Sequence, residues 1–192
     1  DRPTRTHRRF GRLSSSTMYL DDDLNPIERM IQRILDGYLE FFFDAFANQN
    51  INQISGDYAE FGSWGANTMN MAFKAMQLTG QADRHMWAFD SFEPLPEAQD
   101  ERDLHPGWGH GKMGGGGVGN FHDACERHGI PRDAYTAVVG YYDESLPAIG
   151  DGRPDDISVC LIDCNKYTSA VTGFEFLAPR LKNGMILSLI HI

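Results

Sequence analysis

The chain has 192 residues, 41% of them hydrophobic and 23% charged, with a net charge of −10 at pH 7. That is an ordinary globular composition, long enough for one domain with a sizeable core. The acid excess disfavours a polyanionic partner such as DNA, and no apolar run reaches the roughly 20 residues that a membrane-spanning helix needs.

Residues 1–23 read as a disordered arm, basic at Arg2, Arg5, Arg8, Arg9 and Arg12. No apolar signal region follows them, so a cytoplasmic protein without a membrane partner is expected. Cys125, Cys160 and Cys164 are odd in number and lack metal-type spacing, which fits reduced thiols. Residues 24–55 read as a helical segment preceding the core fold. Asn25 is placed to cap, Pro26 suits the first helical position and Glu28 completes a capping box. Ile27, Met30, Ile31, Ile34, Leu35, Tyr38 and Phe42 recur at helical spacing on one face. This helix is expected either to cover a site or to contact a second copy in a homo-oligomer.

From Gly56 the pattern becomes regular. Short strands are expected at residues 58–61, 85–89, 136–139, 157–162 and from 185. Helices are expected at residues 68–78, 121–128 and 169–181. Alternating strands and helices predict an α/β, Rossmann-like parallel sheet with helices on both faces, occupying residues 56–192. In such a sheet the ligand lies at the carboxyl ends of the strands. Between the second strand and its helix runs a long loop with Pro94, Pro96, Pro106 and four consecutive glycines, Gly114 to Gly117. A loop this long inside a domain usually serves function. Its glycines follow no strand, which excludes a phosphate-binding P-loop.

Three strand ends carry acids: Glu60, Asp90 and Asp163. A carboxylate after the second strand suits the two hydroxyls of a ribose, which points to Asp90. The turn from Glu60 through Gly62 to Gly65 lets backbone approach a ligand, but it lacks the G-x-G-x-x-G spacing of a dinucleotide site. Glu60 suits a cationic amino group, hence the methionine end of S-adenosylmethionine more than the pyrophosphate of NAD.

Four segments in this order resemble the macrocin O-methyltransferase family of class I S-adenosylmethionine-dependent methyltransferases. They are Gly56-Asp57-Tyr58-Ala59-Glu60-Phe61-Gly62-Ser63-Trp64-Gly65 and Trp87-Ala88-Phe89-Asp90-Ser91-Phe92-Glu93-Pro94-Leu95-Pro96. Further on come Gly140-Tyr141-Tyr142-Asp143-Glu144-Ser145-Leu146-Pro147 and Leu161-Ile162-Asp163-Cys164-Asn165-Lys166-Tyr167. The resemblance implies S-adenosylmethionine as cofactor, Mg²⁺ as a suspected second one, and a small-molecule hydroxyl acceptor such as a sugar. By position it implies that Glu60, Gly62 and Ser63 meet the methionine end. Asp90, Ser91 and Phe92 meet the ribose, and Tyr141 and Tyr142 the adenine. Asp163 becomes the metal ligand and, with Lys166 as base, the catalytic pair. The family often carries Asp-x-Asp where this chain has Asp163 and Asn165, which puts the second metal carboxylate in doubt.

The closing hexapeptide Leu187-Ser188-Leu189-Ile190-His191-Ile192 resembles translation of a sequencing adapter. The sheet is therefore expected to be truncated after its fifth strand, with one edge uncovered and the fragment itself inactive. Two alternatives to an O-methyltransferase stay open: a nicotinamide-dependent oxidoreductase, and a methyltransferase-like domain that binds without turnover.

Overall fold

In the chain's computed structural model, residues 24–114 and 116–190 are described. The expected N-terminal arm lies outside them. Helix α1 (Pro26–Ile51) opens with the expected capping box: the Asn25 side chain accepts from the backbone of Ile27 and Glu28, while Glu28 accepts from the Asn25 backbone. The strands are β1 (Asp57–Phe61), β2 (Met86–Asp90), β3 (Tyr135–Val139), β4 (Ile157–Ile162) and β5 (Ile186–Leu189). All neighbours pair in parallel, in the order β3-β2-β1-β4-β5. The connecting helices are α2 (Asn67–Leu78), α3 (Val118–Arg127), α4 (Tyr142–Ala148) and α5 (Tyr167–Leu177).

Side chains alternate across the sheet, so each strand feeds two cores. Tyr58, Met86, Ala88, Val159 and Leu161 pack with α1, α2 and α3, where Phe42, Phe46, Met69, Met76 and Phe121 are buried. Ala59, Phe61, Phe89, Ile157, Cys160 and Ile162 pack with α4 and α5. Every residue of β4 is buried, as its continuous apolar run requires. The three cysteines are free and buried. The fold is thus the three-layer α/β sheet expected from the alternation of patterns.

The structure departs from the expected elements in several places. Helix α4 was not expected, because Pro147 interrupts its short pattern. Helix α3 starts at Val118, three residues early. Helix α5 gives way after Leu177 to a 3-10 turn (Ala178–Arg180), since Pro179 cannot continue an α-helical ladder. The apolar stripe of α1 is buried only along its C-terminal half. Phe42 and Phe46 are inaccessible, whereas Ile27, Met30, Ile31 and Ile34 are exposed. The hexapeptide's first three residues complete β5, and the Ile190 amide continues the ladder by donating to the Ile162 carbonyl. Among the described residues, no helix is long and apolar enough to cross a membrane.

Candidate cofactor site

The strand order reverses between β1 and β4, whose carboxyl ends diverge into α2 on one side and α5 on the other. That divergence opens a crevice lined by Gly62, Ser63, Trp64, Gly65, Asn67, Thr68, Asp90, Met113, Asp163 and Asn165, about 600 Å³ counting its open mouth. Gly62 makes it possible. Its φ of +96° lies in the left-handed region, and a Cβ there would fall 2.3 Å from the Asp163 carbonyl oxygen. The two strand ends touch at that point, with the Asp163 amide donating to the Phe61 carbonyl at 2.8 Å. The turn then climbs through Trp64 and Ala66, both at positive φ. It enters α2 with no side-chain cap, so the first N–H groups of α2 face the crevice beside Asn67 and Thr68.

Asp90 holds this turn. Its Oδ2 accepts from the Trp64 amide at 2.8 Å and its Oδ1 from the Phe92 amide at 2.7 Å. Burial raises its pKa, opposed by those backbone hydrogen bonds. The Ser63 and Ser91 backbone also hydrogen-bonds to this carboxylate, so Asp90 fastens the chain on both sides of the crevice. Glu60 is placed differently from the sequence expectation. Its carboxylate is inaccessible and lies beneath the turn, accepting from the Tyr58 hydroxyl at 2.5 Å and the Thr68 hydroxyl at 2.6 Å. Burial pushes its pKa up to about 7. It is not part of the crevice lining, so a contact with a ligand's amino group does not follow from this geometry.

The other expected site residues divide in the same way. Gly62, Ser63, Asp90 and Asp163 line one crevice. Ser91 accepts from the Glu93 amide in the loop that follows. The Phe92 ring is buried against Phe121, 4.8 Å between centroids. Tyr142 is a core residue: its hydroxyl donates to the Phe89 carbonyl at 3.1 Å and its ring meets Phe61 edge-on. Tyr141 stands at the surface and donates to the Pro94 carbonyl at 2.9 Å. Lys166 is the largest correction. It was expected beside Asp163, but it is buried in a neighbouring cavity with Asp103, Tyr141, Tyr142, Asp143 and Thr168. The reason is local: it stands at the extended N-cap of α5, beneath the long loop.

Residues that the sequence did not single out complete the site. Trp64 and Met113 form its walls. Tyr38 of α1 donates to Asp163 Oδ2 at 3.4 Å, so the N-terminal helix does reach the strand ends. Burial, then the charge of Asp163, raises the Tyr38 pKa. Mg²⁺ wants several hard oxygen ligands in near-octahedral array. Among the described residues no three His, Cys, Asp or Glu converge to hold a metal. Asp163 and the carboxamide of Asn165 bring hard oxygen donors to the crevice, and Mg²⁺ fills the rest of its octahedron with water.

A parallel sheet with a switch point between β1 and β4, a glycine turn entering an uncapped helix and an acid at the end of β2 defines a Rossmann-like fold. Comparison with known proteins makes the class specific. The Macrocin-O-methyltransferase (TylF) family profile matches residues 33–189, and the chain belongs to that family. A curated relative, the 8-demethyl-8-(2,3-dimethoxy-alpha-L-rhamnosyl)-tetracenomycin-C 4'-O-methyltransferase of Streptomyces olivaceus, is 27% identical over 138 residues, 68% of this chain and 51% of that protein. The chain thus spans about half the length of this relative. Among solved structures, the calicheamicin methyltransferase CalS11 superposes with a TM-score of 0.65 at 17% identity, covering 86% of this chain and 65% of CalS11. The O-methyltransferase NovP gives 0.59 at 19% identity, covering 74% and 59%. These two likenesses establish the fold.

Proposed function

We propose that this protein uses S-adenosylmethionine to methylate a hydroxyl of a sugar or another small metabolite. One observation carries the reading: Gly62, Asp90 and Asp163 converge on a single crevice at the β1/β4 switch point. Asp90 is the ribose ligand: its carboxylate lines the crevice at the end of β2 while it holds the turn. The uncapped start of α2 offers N–H groups to a carboxylate at the methionine end. Beside Gly65 only the Asn67 side chain comes within 4.0 Å of an added Cβ, so ligand can pass close to the backbone. The curated relative acts on a rhamnosyl group, according to its name, which supports a sugar acceptor.

S-adenosylmethionine supplies the electrophilic methyl group. The protein's part is to hold the acceptor oxygen in line with it and to take the hydroxyl proton. Asp163 is the carboxylate at the crevice able to accept that proton, steadied by the Tyr38 hydroxyl. No step is assigned to Mg²⁺; Asp163, with Asn165 beside it, would be the residue to hold it. Calorimetry with S-adenosylhomocysteine and NAD tests the reading. S-adenosylhomocysteine should bind and NAD should not, with Asp90→Ala weakening the former by about tenfold or more. Binding of NAD alone would favour the oxidoreductase instead.

A further inference from the structure

We infer that Asp103, in the long loop after β2, is a positioning residue that caps helix α5 from outside and so fixes two walls of the crevice. Its consequence for cofactor binding rests on the methyltransferase reading; the cap itself does not.

A helix leaves its first N–H groups without intrahelical partners, and Ser, Thr, Asp or Asn normally satisfies one of them from the N-cap position. At the start of α5 that position is Lys166, in an extended conformation with no side-chain cap. An ammonium has only donors and cannot serve. The acceptor comes instead from 65 residues upstream. Asp103 Oδ1 accepts from the Thr168 amide at 3.0 Å, and Oδ2 accepts from the Thr168 hydroxyl at 2.8 Å. The carboxylate also complements the positive end of the helix dipole. Lys166 turns its ammonium to the Asp103 carbonyl at 3.5 Å. The adjacent Arg102 guanidinium lies 4.0 Å from the Tyr167 ring centroid. Residues 102 and 103 thus grip residues 166, 167 and 168 in succession. Asp103 is 2% exposed and Lys166 4%. Burial that deep is tolerable for charged groups only when they are hydrogen-bonded, so the tie is a specified part of the fold.

Both ends of the tie continue along the chain to residues that line the crevice. Lys166 directly follows the turn carrying Asp163 and Asn165. The loop beyond Asp103 is pinned where Leu95 donates to the Lys112 carbonyl at 2.8 Å and accepts from the Gly111 amide at 3.0 Å. Its next residue, Met113, lines the same crevice as Asp163 and Asn165. Asp103 therefore couples the loop wall to the strand-end wall. The same geometry gives Lys166 a structural task in place of a base's.

Trypsin reads the tie at Lys112, which lies within the loop and whose sequence neighbours the variants leave unchanged. In Asp103→Ala, cleavage after Lys112 should be about tenfold faster than in the parent, the scale of a lost helix cap, and S-adenosylhomocysteine should bind about fivefold more weakly. Asp103→Asn should fall between, since asparagine also caps. Thr168→Val, which keeps the branched shape and loses the hydroxyl, should open the loop partway. With a hydroxyl acceptor, Lys166→Met should lower turnover without moving the midpoint of the pH–rate profile. Parental cleavage rates in both Asp103→Ala and Thr168→Val would overturn the cap. So would a shifted midpoint in Lys166→Met, which would make that lysine the base. If Asp103→Ala does not fold, Thr168→Val decides. Faster cleavage in variants of a parent that binds no S-adenosylhomocysteine would leave the cap standing and remove the cofactor reading.

Discussion

Gly62 directly follows β1 with φ +96°, and a Cβ built there meets the Asp163 carbonyl oxygen at 2.3 Å. Two costs therefore combine in Gly62→Ala: a left-handed backbone that alanine resists, and backbone contact between strands that cannot separate without opening the sheet. The substitution should destabilise the fold by about 2 kcal/mol or more, read from urea denaturation. Parental stability would mean that the strand ends can part at little cost. Directly beneath lies Glu60, whose burial raises its pKa from 4.5 to about 7. An acid that is weaker in the folded state binds its proton more tightly there than in the unfolded chain. Its contribution to stability is therefore fully present below about pH 4.5 and is lost as the pH rises through about 7. The loss is on the order of 3 kcal/mol. Glu60→Gln mimics the protonated acid, with an amide that can donate to one neighbouring hydroxyl and accept from the other. Denaturation at pH 5, 6 and 7 should show parental stability falling relative to Glu60→Gln. Parallel curves would mean that Glu60 titrates normally.

Helix α1 divides into two halves that the sequence pattern does not distinguish. Phe42 stacks on Tyr38 and meets the Tyr58 ring edge-on, 5.4 Å between centroids, and it is inaccessible. Ile31, on the same stripe three turns earlier, is 47% exposed. Phe42→Ala should cost about 3–5 kcal/mol. Ile31→Ala should stay within about 0.5 kcal/mol. Equal costs in denaturation would place the docking surface elsewhere. Periodicity revealed the helix because it depends on residue spacing alone; which part of the stripe is covered depends on where the sheet ends. The strands were legible for the same reason, down to the buried run of β4. So were the strand-end positions of Gly62, Asp90 and Asp163, because strand-end placement follows from local pattern. Where side chains point did not follow. Glu60 and Tyr142 sit beside the crevice in sequence but turn inward, because alternation along a strand and the first turn of a helix set their direction, and Phe92 turns into the core from a left-handed backbone just past β2. Lys166 was misplaced because its partner, Asp103, is 63 residues away in a loop without periodicity.

At the scale of the whole molecule, strand order makes one crevice out of dispersed residues. β1 contributes Gly62, β2 Asp90 and β4 Asp163, and the order β3-β2-β1-β4-β5 brings those three ends together. A ligand held there bridges both halves of the sheet, the turn into α2 and the loop anchored at α5. It should therefore stabilise the fold as a unit and bind the unfolded chain not at all. Under those conditions ligand at a hundred times its Kd adds about 2.7 kcal/mol. For a chain of this size that corresponds to a rise in Tm of roughly 5–10 °C. S-adenosylhomocysteine should produce it in a thermal melt, and NAD at the same concentration should not. Asp90→Ala should need a proportionately higher concentration of S-adenosylhomocysteine for the same rise, because that variant loses the carboxylate proposed to hold the ribose and the bond holding Trp64. A rise with NAD equal to that with S-adenosylhomocysteine would mean that the crevice recognises only the adenosine they share. No rise with either would mean that the convergence of strand ends is a feature of the fold without a nucleoside ligand.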